Sequence, residues 1–160
     1  MAKFGLDYNA YVNGREMDRA TAQKLFDYHY NEKVAYVNSN FPGLRYSSQR
    51  EVLIDMSYNL GSIPTGFAKF RQAIKNNDVK GMAIEILDSA YCTQVKSRCL
   101  KNALNLLSDA SGTKAQTLRD TVQQKLNRND YSRLSASFLN SVRNWILDRE
   151  SNYIKIKLLF

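Results

Sequence analysis

The stretch Ser47–Phe70, SSQREVLIDMSYNLGSIPTGFAKF, decides the reading of the fold. Ser48 and Glu51 stand in S-x-x-E spacing, the capping box in which each side chain satisfies a backbone amide at a helix start. Val52, Leu53, Met56 and Leu60 then recur at helical intervals as one apolar stripe. Gly61 follows as a residue able to take the left-handed conformation that closes a helix. SIP is a short connector, and Thr65 is placed to cap a brief helix carrying Phe67, Phe70 and Ile74. The central DMSYNLG sets polar Asp55 and Asn59 four residues apart, on one face beside the apolar stripe. Whether that pair edges the solvent or floors a cleft is the functional question.

Working outward, Asp18 is an N-cap for a helix with Leu25, Phe26, Tyr30, Val34 and Val37 in a stripe, ended by FPG at Phe41–Gly43. After NND, Asp78 caps a helix whose stripe is Val79, Met82, Ala83, Ile86 and Leu87. Beyond YCTQVKS, Cys99, Ala103, Leu106 and Leu107 predict another helix. The composition changes at SDASGTK, Ser108–Lys114. Thr113 is placed to cap a helix with Leu118, Val122 and Leu126, and a last helix is expected from near Ser132, carrying Leu134, Phe138, Leu139, Val142, Trp145 and Ile146. The tail YIKIKLLF alternates like a strand but is too short to settle. Short helices with short links predict an all-α, compact orthogonal bundle.

Size and composition agree. The 160 residues suit one domain, or a domain with an appendage, and seven Gly with two Pro are too few for a turn-dense sandwich or barrel. The formal charge of +8 draws the chain towards anionic polymers, whether nucleic acid, membrane surface or acidic cell-wall glycan, without choosing among them. Cys92 and Cys99 on one straight helix would be roughly 10 Å apart in rise. A disulfide, which needs Cα atoms within about 7 Å, therefore requires a loop between them. His29 alone cannot complete a metal site with two distant cysteines, so no metal and no cofactor is expected. The start MAKFGLDYNAYVNG lacks the apolar region of a signal peptide, and no apolar run has the length of a membrane span. The absence of a Gly-rich phosphate loop, G-x-S-x-G, H-E-x-x-H or C-x-x-C argues against nucleotide hydrolysis, serine hydrolysis and zinc chemistry.

Four pieces in order carry a family resemblance: MDRATAQKLF, QREVLIDMSYNLG, TGFAKFRQAIKNNDVKGMAIEIL and SAYCTQVKSRCLKNAL. Together, Met17–Leu107 resembles the helical lobe of the phage-type lysozymes, muramidases that cut peptidoglycan. The resemblance implies residues 1–107 as a lysozyme-like helical lobe, with a remnant of the small lobe at 1–16 and a C-terminal helical extension at 108–160. It also implies a peptidoglycan-directed protein, as in a phage endolysin, a baseplate lysozyme or an interbacterial toxin. In the family a catalytic Glu precedes the run that AKFGLDYN looks like, so no position here matches it, nor the Asp and Thr that follow. The catalytic acid is then missing or supplied from outside the chain.

Glycosidic cleavage needs a protonated carboxylic acid and a second carboxylate flanking the bond. Asp7 and Glu16 are the candidates that remain, set against a plainer reading as solvated loop charges. Asn59 stands where the resemblance places an amide near the substrate, with Asp55 beside it; the same face suits bonding to neighbouring helix ends equally well. Tyr91, Gln94 and Arg98 fall on the family's aromatic-x-x-Gln-x-x-x-Arg segment. Tyr91 with Gln94 suits a sugar ring, or a core tyrosine beside a capping glutamine. Arg98 suits a wall peptide carboxylate, or an internal acid such as Asp55. The partners expected are peptidoglycan glycan strands, with a protein partner through residues 108–160, or nucleic acid, as alternatives.

Overall fold

The computed structural model of the chain describes residues 4–144, and among them every regular element is a helix. They divide into two compact units: one runs to Pro42 and adds Leu53–Ile63, the other comprises Gly43–Val52 and the residues from Pro64 onward.

The first unit opens with α1 (Tyr8–Val12) and continues in α2 (Arg19–Asn40). Asp18 caps α2: its Oδ1 accepts from the Thr21 amide at 2.9 Å and its Oδ2 from the Thr21 hydroxyl at 2.7 Å. The Thr21 hydroxyl, then its amide, hold the Asp18 carboxyl below the usual aspartate range. Helix α3 (Ser47–Leu60) gives its later turns to this unit. It stops at Gly61, whose φ of 82° few other residues tolerate. Two bonds fasten this exit to α2: Lys33 Nζ donates to the Gly61 carbonyl at 2.8 Å, and the Ile63 amide to the Tyr36 hydroxyl at 3.0 Å. The expected α2 stripe is only partly covered. Val37 is buried, Leu25 and Val34 are half-buried, while Phe26 and Tyr30 are 47% and 40% exposed. A helix of 22 residues is about 33 Å long, more than the short 53–63 segment of this unit spans.

The second unit takes the first turns of α3, followed by α4 (Ala68–Lys75), α5 (Val79–Leu87), α6 (Ala90–Val95), α7 (Ser97–Ser108), α8 (Thr113–Asn127) and α9 (136–144). The α5 helix packs on α4 and α7, and α7 packs in turn on α6 and α8. Its core joins Phe70 and Ile74 to Met82, Ile86 and Leu87, and these to Leu100, Ala103, Leu106, Leu107, Leu118 and Val122. The stripes expected for α5 and α7 are all buried. Asp78 caps α5 as expected, accepting from the Gly81 amide at 2.9 Å.

Several start signals resolve differently. The Ser48–Glu51 capping box does not form: the Ser48 hydroxyl is buried without a partner, and Glu51 accepts from Asn105 Nδ2 at 2.9 Å. Gln49 closes the start of α3 instead, its Oε1 accepting from the Arg45 and Tyr46 amides, both at 3.2 Å. Helix α4 begins beyond the reach of Thr65, with Phe67 at its N-cap and no side-chain bond there. Thr113 lies inside α8, and Gly112 holds the cap position. The last helix begins at 136 rather than near Ser132, because Asp130 captures Ser132 in a turn through its amide (3.0 Å) and hydroxyl (2.6 Å). Trp145, Ile146 and the alternating tail lie outside the described residues.

A disulfide joins Cys92 to Cys99 with Cα atoms 4.9 Å apart. The required interruption is Lys96, whose φ of 51° and ψ of −117° separate α6 from α7.

Candidate functional site

The sequence-derived candidates fall in both units. Asp7, Glu16, Asp55 and Asn59 belong to the first, and Tyr91, Gln94 and Arg98 to the second. Asp7 is exposed and caps α1, accepting from the Asn9 amide at 2.9 Å. Glu16 is exposed in the segment leading to α2. Glycosidic cleavage needs two carboxyl groups flanking the scissile bond in an enclosed site, and these two stand in solvent, one of them spent as a helix cap.

Asp55 and Asn59 lie one turn apart near the end of α3. The Asn59 amide donates to the Asp55 backbone carbonyl at 2.7 Å, and Asn59 is exposed where Asp55 is half-buried. Tyr58, between them in sequence, is 40% exposed, whereas Met56 and Ser57 are buried. The last turns of α3 thus carry a carboxylate, a phenol and an amide on their outer side.

Tyr91 is 2% exposed, a core side chain whose hydroxyl lies 3.4 Å from Asn102 Nδ2. Gln94 on α6 and Arg98 in the first turn of α7 are both exposed. The family resemblance set Tyr91 with Gln94 and Arg98; the structure places it on α6 with its side chain in the core, while the other two are exposed.

One feature escaped the sequence. Phe26 and Tyr30 on α2 lie with ring centroids 5.8 Å apart and planes 19° from parallel, and Tyr58 of α3 lies 5.8 Å from Phe26 at 45°. These are three of the five large hydrophobic side chains most exposed among the described residues. One turn before Tyr30 stands Asp27, bonded to Gln23 at 2.7 Å, and further round α2 lies the His29–Glu32 pair at 3.0 Å. Hydrogen bonds from His29 and Tyr28 hold the Glu32 carboxyl below its usual range. The spacing of Phe26 and Tyr30 is visible in the sequence; their exposure is not.

The second unit carries a cavity of about 380 Å³ lined by Phe67, Lys69, Phe70, Glu85, Asp88 and Ser89. Arg143 of α9 ties both acids of its wall, reaching Glu85 at 3.1 Å and Asp88 at 2.6 Å. Burial alone would disfavour the guanidinium's charge; the Asp88 hydrogen bond and the field of Glu85 outweigh it and raise the pKa. The carboxylates of this cavity are therefore largely spent on an internal cation.

Among the described residues no group of three His, Cys, Asp or Glu is placed to hold a metal ion, and no helix is long and apolar enough to cross a membrane. The chain matches no family model, no curated protein and no solved structure.

Proposed function

We propose that this chain is a peptidoglycan-directed protein with a lysozyme-like orthogonal helical lobe, extended at its C-terminus by α8 and α9. The observation that carries the reading is the outward group Asp55, Tyr58 and Asn59 at the end of α3. A carboxylate and an amide beside an exposed ring match what a saccharide presents, hydroxyls at its edge and C–H groups on its face. The resemblance of the surrounding segments to the phage-type lysozymes points the same way. With Asp7 engaged as a cap and Glu16 in solvent, the chain holds the wall, and the acid that cuts comes from outside it.

Sedimentation with purified cell-wall sacculi tests this at physiological ionic strength, alongside a zymogram. Pelleting with the wall but no clearing by the chain alone is the expected result. A chain left in the supernatant overturns the reading.

A second reading rests on charge. Residues 43–52 and 64–160 hold 18 Lys and Arg against 9 Asp and Glu, so the second unit carries the whole basic surplus. Such a surface suits nucleic acid, and its signature is affinity that falls steeply with salt. A protein partner docked through residues 108–160 has less support, since Ala115, Leu118 and Val122 of α8 are buried in the core.

A further inference from the structure

The rings of Phe26, Tyr30 and Tyr58 form a surface whose composition narrows what can rest on it. Each ring is between 40% and 47% exposed, and they meet at 5.8 Å spacing in a continuous row across α2 and α3. Exposed aromatic faces bind three kinds of matter: other proteins, nucleic acid bases and the C–H faces of sugars.

Protein interfaces favour aromatic anchors too, so a protein is the competing occupant of this row, and one that would leave a soluble saccharide unbound.

Bases come with phosphates, and phosphates need cations. The unit bearing the rings holds five Lys and Arg against six Asp and Glu, in a chain of formal charge +8. Asp27 lies one turn before Tyr30 on α2 and Lys33 one turn after it, tied to the Gly61 carbonyl, while Asp55 precedes Tyr58 by one helical turn. A phosphate backbone laid here meets the Asp27 and Asp55 carboxylates against the Lys33 ammonium. A neutral saccharide meets ring faces for its C–H groups, with the Tyr30 and Tyr58 hydroxyls, the Asn59 amide and the Asp55 carboxylate in the same neighbourhood for its hydroxyls.

We propose that Phe26, Tyr30 and Tyr58 form a stacking platform for an uncharged stretch of β-linked N-acetylated amino sugars. This deepens the peptidoglycan reading and rests on it, assigning the sugar-holding role to rings rather than to the buried Tyr91. Near-parallel Phe26 and Tyr30 take one ring face, and Tyr58 takes the next, with the N-acetyl methyl group against the aromatic surface.

The probe is a soluble β-1,4-linked tetramer of N-acetylglucosamine, titrated into the full chain by calorimetry, with sacculi sedimentation run in parallel. Saturation-transfer NMR on the unmodified protein identifies which protons touch the sugar. The expected result is transfer from the Phe26, Tyr30 and Tyr58 rings. Tyr58→Ala and Phe26→Ala should each weaken binding by about tenfold or more, while Tyr58→Phe, which keeps the ring, stays within about threefold. Melting curves identify any variant that fails to fold, and the NMR measurement on the unmodified chain then decides alone.

Transfer to other protons, or no tetramer binding while sacculi still pellet, overturns the platform and leaves the wall reading standing. Failure to bind both sugar and sacculi removes both. A single-stranded oligonucleotide that contacts these rings overturns the saccharide assignment in favour of bases.

Discussion

Arg143 Nη2 lies 2.6 Å from the Asp88 carboxylate, a bond that joins α9 to the end of α5 across 55 residues of chain. The same nitrogen reaches Glu85 at 3.1 Å, so one guanidinium neutralises two acids that sit one turn apart. Replacing it by alanine leaves two like charges at i,i+3 beside a partly enclosed cavity. We expect Arg143→Ala to destabilise the fold by about 2 kcal/mol, with Arg143→Lys intermediate because an ammonium lacks the planar fork. Urea denaturation measures both, and an unchanged midpoint for the alanine variant would contradict the bridging role.

The Cys92–Cys99 bridge closes a loop over a sequence separation of 7. Loop-closure entropy for a ring of this size corresponds to about 2.5 kcal/mol of stabilisation. Cys92→Ser/Cys99→Ser should lower the stability by roughly that amount. Thermal melts with and without a thiol reductant check it, because the double variant should be insensitive to the reductant.

Gly81 presents a reversed expectation. Glycine to alanine inside a helix ordinarily stabilises by about 1 kcal/mol. Here a Cβ on Gly81 would run into the Asp78 carboxylate that caps the helix, and would meet Ala73 Cβ at 3.3 Å. Gly81→Ala should therefore destabilise, by about 1 kcal/mol through loss of the cap. A melting temperature that rises would show that the cap has room to move.

Asp130 sets the acid behaviour of the link between α8 and α9. The Lys125 ammonium at 2.7 Å, then the Ser132 hydroxyl and amide, hold its carboxyl far below the ordinary aspartate value of 3.8. A folded-state pKa below the unfolded one favours folding at any pH above the unfolded value, and that contribution fades as pH falls towards the folded pKa. The Asp130 carboxyl carbon should accordingly show no titration around pH 3.8 in NMR, where an unperturbed aspartate gains its proton. Lys125→Ala should bring its midpoint back towards the ordinary range.

The helices of the second unit were legible because their stripes are complete. Val79, Met82, Ala83, Ile86 and Leu87 repeat at helical spacing, and all five are buried. Caps were legible where a short acid stands alone before an apolar run, as Asp18 and Asp78 do. They misled where a competitor sat next door: Gln49 reaches back over the start of α3, and the Ser48 motif is left unused. Periodicity also says which face of a helix is apolar, not whether a neighbour covers it, so Phe26 and Tyr30 read as core. The break at Lys96 had no residue-type signal, since lysine gives no hint of a φ of 51°. Of the candidate site, Asp55 and Asn59 were visible as a polar pair, whereas the inward turn of Tyr91 depends on packing that no local spacing encodes.

The ring that Cys92 and Cys99 close contains two exposed basic residues, Lys96 and Arg98. A trypsin-like protease nicking the backbone at either one opens no gap in the molecule, since the sulfur bond keeps both pieces together. The cut chain migrates as one species on a non-reducing gel and as two on a reducing gel. Peptide hydrolysis at this corner is thus silent until the sulfurs part.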